Sequence, residues 1–424
     1  MSYRWVILAV GVGAQAAVAA LRQGLPSLAP ALRGEFGLSL TGVGVVLGSV
    51  TVGIMLTLIA WGALADRIGE RPVIATGLTG TAAALVGAAL APSFGWLLGA
   101  LVLAGMFGAS ATGASGRAVM GWFERGERGM ALGVRQMGVP VGGGIAAIAL
   151  PLIVAGWSLE GALLALAAGA LIAALAAARW MREAPPPALP VAPLVAPPPL
   201  RDRRLWRLSA GSALLVVAQG AVLGFLVLYL HDERGWSLTA AAAALAILQI
   251  GGAVARVAVG RWSDRLDERV LPVRRIGAAG ALLLAGAAAL EAAPSVVLVP
   301  VLVTAGIMAS AWNGLAFTAA AELSGRRRAG TAMSLQNTVL SAAGAVAPIA
   351  VAALVTVSAW PVAWAFLALS QLAGVAVLGP LVAEERSRRA EREARLARAR
   401  QPRRRGSRHT VDHERMPAPA TTRR

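Results

Sequence analysis

The chain has 424 residues, of which 57% are hydrophobic and only 14% are charged, and its formal net charge is +18. A soluble domain carries roughly 25% charged residues, so this balance argues against a soluble protein and indicates one that crosses the membrane many times. No cysteine is present, which excludes a disulfide framework and a thiolate metal site.

Long apolar segments account for most of the chain. A helix needs about 20 apolar residues to cross a bilayer, and these runs lack the alternation of strands. The sequence therefore predicts an all-α integral membrane protein with twelve transmembrane helices. The first run lacks a small-residue cleavage site and is predicted to be a retained helix. The spans lie at roughly 5–32, 41–64, 72–92, 95–121, 130–155, 159–180, 207–230, 238–260, 274–291, 295–320, 331–356 and 360–383.

The arginines indicate the orientation. Every basic residue is Arg, and almost all of them fall in alternate loops, in a cluster at 179–207 or near the C-terminus. The other side of the predicted bundle holds only Arg33 and Arg234. This asymmetry predicts a cytoplasmic-membrane protein with both termini in the cytoplasm, and it explains the positive charge without a nucleic-acid partner.

Two segments are predicted to lie outside the bilayer. Residues 181–206 are Pro-rich and charged at both ends, as in a semi-extended linker between an N-terminal half, 1–180, and a C-terminal half, 207–383. The tail, 384–424, is rich in Arg and Glu and is expected either to contact the anionic inner leaflet or to remain solvated without a specific role.

An internal repeat relates the two halves. WGALADRIGERP, which begins at Trp61, and VGRWSDRLDERV, which begins at Val259, place identical residues at one constant spacing along the chain. Gln15 and Gln219 lie in a second matching pair of segments. A third pair of matching segments, GMALGVRQ and GTAMSLQN, leads into the fifth and eleventh predicted helices. Repeats in three places predict two parallel six-helix halves with a substrate site at their interface. The matched loop residues are Gly62, Asp66, Arg67, Glu70 and Arg71 with Gly260, Asp264, Arg265, Glu268 and Arg269.

The first of these loops resembles the signature loop of the major facilitator superfamily, and the second resembles its weaker echo in that family's other half. The pattern is Gly62-x-Leu64-x-Asp66-Arg67-x-Gly69-x-Arg71. The resemblance implies a secondary transporter that works by alternating access. It also implies that Asp66, Arg67 and Arg71 hold the cytoplasmic helix ends together in the outward-open state, with Gly260, Asp264, Arg265 and Arg269 as the second copy of this latch. The alternative is that these charges only mark topology.

Four arginines fall inside predicted spans: Arg22, Arg117, Arg135 and Arg256. An Arg in the membrane costs about 2.5–3.5 kcal/mol on insertion scales, so each is a candidate for function. The predicted spans place no acidic residue at a comparable depth, and a cavity with cations alone favours an anion as ligand. The alternative is that these side chains extend to the interface.

Two polar stripes support a cavity wall, although a hydrogen-bonded seam between helices would look the same. Gln15, Ala19, Arg22 and Pro26 share one face of the first helix, as Gln249, Ala253, Arg256 and Gly260 do on the eighth. The further candidates for substrate contact are Gln136, Gln219, Trp312, Asn313 and Asn337.

The substrate class has two competing predictions. Arg256 and Gly260 resemble the eighth helix of the monocarboxylate and other organic-anion branches, which implies that Arg256 contacts a carboxylate. An Arg grips a carboxylate or oxyanion with two parallel hydrogen bonds. The glycines and Pro140 of the fifth helix instead resemble the motif of drug–proton antiporters, but the spacing departs from that motif. Co-transport of a proton with the anion, as symport, is left open.

A membrane enzyme would need a nucleophile with its base or a set of metal ligands. The sequence has neither an HExxH motif nor a cluster of Cys, His and Asp. We therefore predict no catalytic residue, no metal and no cofactor, and expect a monomer whose partners are a small anionic substrate and the bilayer.

Overall fold

The computed structural model describes residues 2–184 and 197–400, and this part of the chain is helical without strands. It holds twelve helices that are long and apolar enough to cross a membrane. Those of the first half are α1 (Tyr3–Phe36), α2 (Gly42–Ile68), α3 (Glu70–Ala89), α4 (Phe94–Trp122), α5 (Arg125–Gly156) and α6 (Leu159–Trp180). Those of the second half are α7 (Arg203–Glu233), α8 (Thr239–Leu266), α9 (Val270–Ala289), α10 (Ser295–Ser324), α11 (Arg326–Val357) and α12 (Trp360–Glu391).

The predicted number and order of the spans are confirmed, and several helices are longer than predicted. The α2 helix continues to Ile68 instead of ending at residue 64, so it carries Asp66 within its last turn. On the face where α2, α4, α6 and α8 begin, serine hydroxyls accept a backbone N–H of the first turn, which stabilises each helix start by about 1 kcal/mol. These N-cap residues are Ser39, Ser93, Ser158 and Ser237.

The predicted extramembrane segments are described only in part. Residues 185–196 of the linker and 401–424 of the tail lie outside the described residues. The described residues up to Ala383 form one compact unit, and the described residues from Glu384 to Arg400 belong to a second unit. The α12 helix continues beyond the span given above as far as Arg400, so the described part of the tail is helical. The division into halves and the role of the tail stay predictions.

The buried apolar side chains form three clusters. One lies within the first half and one within the second, as expected for two helical units with their own cores. The third joins the halves, because Leu132 of α5 belongs to the same cluster as Trp312 of α10 and Met333 of α11. The two halves therefore share an apolar core in addition to their polar contacts.

In the described part of the chain, three membrane helices have a one-residue break where polar groups gather. The α4 helix breaks at Ala109, α5 at Met137 and α10 at Trp312. In α5 the cause is Pro140, which has no N–H to bond the carbonyl of Gln136, four residues earlier. Carbonyls freed in this way need other donors inside the membrane, where water is absent.

Candidate functional site: two helix caps and a buried arginine cluster

The first contact between the halves joins α2 to the start of α11. The Asp66 carboxylate accepts hydrogen bonds from the backbone N–H of Gly330 at 2.9 Å and of Thr331 at 2.8 Å, and from the Thr331 hydroxyl at 2.6 Å. A carboxylate at this position satisfies unpaired N–H groups and lies against the positive end of the helix dipole. Gly62 lies one turn earlier, where a Cβ would overlap Ser334. Asp66 is thus the N-cap of a helix in the opposite half.

The second contact repeats this arrangement in the other direction. Asp264 of α8 accepts hydrogen bonds from the backbone N–H of Gly129 and of Met130, both at 2.9 Å, in the first turn of the α-helix of α5. A Cβ at Gly260 would overlap the Gly129 backbone, so glycine is required for this close approach. The predicted repeat therefore forms a pair of reciprocal caps, α2 on α11 and α8 on α5. We call the side of the molecule that carries both caps the Arg-rich face.

The prediction that the four membrane arginines lack acidic neighbours is wrong for Arg117. Its guanidinium pairs with the Asp66 carboxylate at 3.3 Å and with Glu70 at 2.6 Å. The sequence placed both acids outside the membrane, but α2 is one turn longer than predicted and Glu70 is 6% exposed at the start of α3. Arg117 therefore belongs to the Arg-rich face, and its contact with a substrate stays a prediction.

In the second half the signs of the charges are exchanged. Arg269 pairs with Asp264 at 2.6 Å and with Glu322 of α10 at 3.4 Å. Glu322 also lies 3.7 Å from Arg125 and 3.8 Å from Arg128. In the first half α4 supplies the cation, Arg117. In the second half the corresponding helix, α10, supplies the anion, Glu322.

The other predicted latch arginines take no part in these contacts. Arg67, Arg71 and Arg265 are exposed, and within residues 2–184 and 197–400 they form no ion pair. Asp66 instead takes its cation from α4, because the helical turn directs Arg67 away from the helix contact. Gly69 joins α2 to α3 at a φ of +89°, a conformation that favours glycine.

Arg135 lies at the centre of a buried polar cluster in the first half. Its Nε donates to the Ser115 hydroxyl at 2.9 Å, its Nη1 to Gln136 Oε1 at 3.2 Å and its Nη2 to Gln15 Oε1 at 2.9 Å. Nη2 also donates to the carbonyl of Thr112. The residue is 1% exposed, and every one of these acceptors is neutral. Arg135 is therefore a buried cation held by nearly its full set of hydrogen bonds, with no carboxylate among them.

Arg256 of α8 connects this cluster to the second half. Its Nε donates to the carbonyl of Ser310 at 2.9 Å, and its Nη1 donates to the carbonyl of Gln136 at 3.2 Å. The Gln136 carbonyl is the one freed by Pro140, and Ser310 lies beside the break in α10 at Trp312. Arg256 is 7% exposed, and its Nη2 makes no hydrogen bond with any described residue. It therefore bridges the halves through backbone carbonyls, and the N–H groups of its Nη2 are not used in these hydrogen bonds.

The remaining candidates divide into two groups. In the second half, Asn313 Nδ2 donates to Gln219 Oε1 at 3.0 Å. Trp312 is 1% exposed, and its Nε1 has no partner within the described residues. The structure gives no hydrogen bond among described residues to Arg22, Gln249 and Asn337, which are half-buried. Arg22 and Gln249 lie two turns from Gln15 and Arg256, about 10 Å toward the opposite face.

The hydroxyl groups and carbonyls that bond these arginines were not predicted from the sequence, because only charged, amide and aromatic side chains were candidates there. Ser115, Thr112 and Ser310 each bond one of the two arginines. A Ser or Thr among the small residues of a membrane span is only a weak sequence signal of a polar site. A backbone carbonyl that loses its helical hydrogen bond has no sequence signal except the proline that causes the loss. Glu322, at the end of α10, was likewise missed as the partner of Arg269.

Replacing Ser115 with Ala is expected to lower the free energy of unfolding by about 1–3 kcal/mol, because the buried Nε of Arg135 loses its acceptor. Thermal unfolding of the purified protein in detergent measures this. Ser209→Ala is the matched control, since the Ser209 hydroxyl is buried and has no partner among the described residues. Equal losses in both variants would show that the bond between Ser115 and Arg135 carries no special stabilisation.

The twelve helices, the reciprocal caps and the polar centre between two halves define a multi-pass membrane protein of the transporter class. Residues 11–348 match the family model of the Major Facilitator Superfamily, and the chain belongs to this family. It is 35% identical over 374 residues to the uncharacterized MFS-type transporter Rv2994 of Mycobacterium tuberculosis, an alignment that covers 88% of this chain and 84% of that protein. The resemblance seen in the sequence is thus confirmed at the level of the superfamily, whose members are transporters and generally not enzymes.

Solved structures share the fold at low sequence identity. The human organic anion transporter MFSD10 (TETRAN) has a TM-score of 0.70 at 19% identity, with 89% of this chain and 100% of that chain covered. The proton:xylose symporter XylE, bound to 6-bromo-6-deoxy-D-glucose, has a TM-score of 0.71 at 14% identity, with 90% and 96% covered. Two solved relatives with such different substrates establish the fold and leave the substrate open.

Proposed function

We propose that this transporter carries a small organic anion, a carboxylate, or an oxyanion across the cytoplasmic membrane. The observation that carries this proposal is Arg256, a buried guanidinium with unused donors and no carboxylate partner among the described residues. Arg135, held beside it through Gln136, adds a second positive charge. Burying charges without a counter-charge is costly, and an anionic ligand relieves that cost.

The two arginines are assigned different roles by their hydrogen bonds. A guanidinium has five N–H groups. Arg135 makes four hydrogen bonds, which hold α1, α4 and α5 together, so it is assigned a positioning role. Arg256 makes two, and the unused N–H groups of its Nη1 and Nη2 can grip a carboxylate with two parallel bonds. Arg256 is therefore proposed as the direct ligand, with Asn313 and Gln219 as amide groups at the facing side.

Alternating access is supported by the position of the caps. The Asp66 and Asp264 caps both lie at the Arg-rich face, which the arginine asymmetry assigns to the cytoplasm. In this conformation the halves are joined on that side, so the cluster is proposed to open outward. Opening inward then requires Asp66 and Asp264 to leave the N-termini of α11 and α5. Arg256 also bridges the halves, and an anion that takes its donors competes with the Gln136 carbonyl.

A melting-temperature screen of the purified protein tests the substrate class. A ligand that binds only the folded state raises the melting temperature by mass action. At a ligand concentration about one hundred times Kd, the free energy of unfolding rises by about 2.7 kcal/mol. Small monocarboxylates and inorganic oxyanions are expected to stabilise the protein, and cationic drugs are not. Stabilisation by cationic drugs alone would contradict the proposal and favour the drug–proton antiporter that the glycines of α5 resemble.

A further inference from the structure

A cavity lies on the side of α1 away from the arginine cluster. It is a groove of about 610 Å³ whose floor is a single face of α1, and α6 forms its wall, with Gly142 and Ile145 of α5 at one end. The α1 positions recur every three or four residues, and they lie opposite Gln15 and Arg22 on the helix. We call it the α1–α6 groove. Its floor is made by Trp5, Ala9, Gly13, Ala17 and Ala20, and its α6 wall includes Gly169, Ile172, Ala173, Ala176 and Trp180.

The groove has the length and the lining of a hydrocarbon chain. Trp5 and Ala20 are fifteen residues apart, which is about 22 Å along the helix. One leaflet of a hydrocarbon core is about 15 Å thick, so the groove runs the full depth of a leaflet. A Cβ at Gly13 or at Gly169 would meet no atom within 4 Å, so the space is not filled by the protein. Its almost wholly apolar wall excludes a polar solute.

The end of the groove at the Arg-rich face is basic and aromatic. Trp5 and Trp180 stand at this end, at the level where tryptophan is enriched in membrane proteins. Arg179 follows Ala176 by three residues and so continues the groove side of α6. The Arg182 guanidinium lies 4.4 Å from the centre of the Tyr3 ring, and the Tyr3 hydroxyl donates to the Trp180 carbonyl at 2.6 Å. Both arginines are exposed, and neither pairs with a carboxylate among the described residues.

We infer that the α1–α6 groove binds one anionic phospholipid from the leaflet that meets the Arg-rich face. One acyl chain lies along α1 from Trp5 toward Ala20, and the phosphate lies between Arg179 and Arg182. Basic sites between membrane helices at the cytoplasmic side recognise anionic headgroups. The apolar groove positions the acyl chain of the same lipid. This inference is independent of the transported substrate.

Native mass spectrometry of the purified protein with added phosphatidylglycerol or phosphatidylcholine tests this. We expect one phosphatidylglycerol to be retained at least tenfold more strongly than phosphatidylcholine. The double variant Arg179→Gln/Arg182→Gln is expected to lose that preference, since each basic residue near the headgroup contributes about fivefold to binding. The matched control is Arg207→Gln, which alters an exposed arginine at the start of α7 and should leave retention unchanged.

A second variant tests the groove itself. Gly169→Leu places a side chain in the open space of the groove, so it should weaken lipid retention at least tenfold without lowering the melting temperature of the lipid-free protein. Equal retention of the two lipids, equal loss in Arg207→Gln, or full retention in Gly169→Leu would each overturn the inference. A dimer that phosphatidylglycerol does not displace would overturn it in favour of a second copy of the chain.

Discussion

Replacing Arg256 with Gln is expected to weaken the binding of a small carboxylate by about 2–5 kcal/mol, which is thirtyfold or more in Kd. This is the range found when one partner of a buried, hydrogen-bonded charge pair is removed. Gln can replace a hydrogen bond but not the charge. Calorimetric titration of the purified protein with the monocarboxylate that stabilises it most measures the change. A Kd that shifts less than threefold would contradict the assignment of Arg256 as the ligand.

Two further substitutions separate charge from geometry. Arg256→Lys keeps the positive charge but loses the planar fork, so binding is expected to fall between the parent and Arg256→Gln. Arg135→Gln is expected to lower the melting temperature of the ligand-free protein more than Arg256→Gln does, because it removes four hydrogen bonds instead of two. This difference in stability distinguishes a positioning residue from a ligand.

Replacing Asp66 with Asn is expected to loosen the Arg-rich face, because the amide is a weaker acceptor for the N–H groups of Gly330 and Thr331 and leaves Arg117 with one acid fewer. Hydrogen bonds to charged groups contribute about 1.5–3 kcal/mol, so opening should become on the order of tenfold or more frequent. The chain has no cysteine, and a single Ser334→Cys reporter therefore gives an unambiguous maleimide signal. Ser334 is fully buried against Gly62.

Labelling of that reporter should accelerate on the order of tenfold in Asp66→Asn. It should stay slow in Arg67→Gln, because Arg67 is exposed and has no ion pair within the described residues. The same acceleration is expected for Asp264→Asn, since the two caps are reciprocal and either one holds the halves together. Slow labelling in both Asn variants would show that the apolar core between the halves closes this face without the caps.

Much of this organisation was predictable, because the hydropathy of the sequence identifies membrane helices and because the sequence motifs of one half recur in the other. Asp66 and Asp264 were identified from the repeat together with the resemblance to the signature loop. Gln15, Arg135, Gln136 and Arg256 were identified from the cost of polar groups in a bilayer, and the structure brings these four into one cluster. Arg22 and Gln249 satisfied the same criterion but form no hydrogen bond with described residues.

Contacts that depend on tertiary position were not predictable. Arg117 was separated from Asp66 by an assumed helix end, and one more turn of α2 brought the two charges together. Arg67 and Arg71 were assigned as partners of Asp66 from the resemblance to the signature loop, whereas the cation that pairs with Asp66 comes from another helix. The groups that hold Arg256 are backbone carbonyls, which every residue type has, so the sequence does not mark them. Only Pro140 indicated that one of them was free. The α1–α6 groove depends on how α1, α5 and α6 pack against one another, which one sequence does not record.

An anion site formed by Arg256 and Arg135 is best tested with one matched pair of ligands. Benzoate and benzamide have nearly the same shape, and only benzoate carries the negative charge. The melting temperature of the purified protein is measured with each at equal concentration. Stabilisation by benzoate that benzamide does not reproduce, and that disappears in Arg256→Gln, is the predicted result. Equal stabilisation by the two ligands, or a benzoate effect that survives in Arg256→Gln, would contradict an anion site at Arg256.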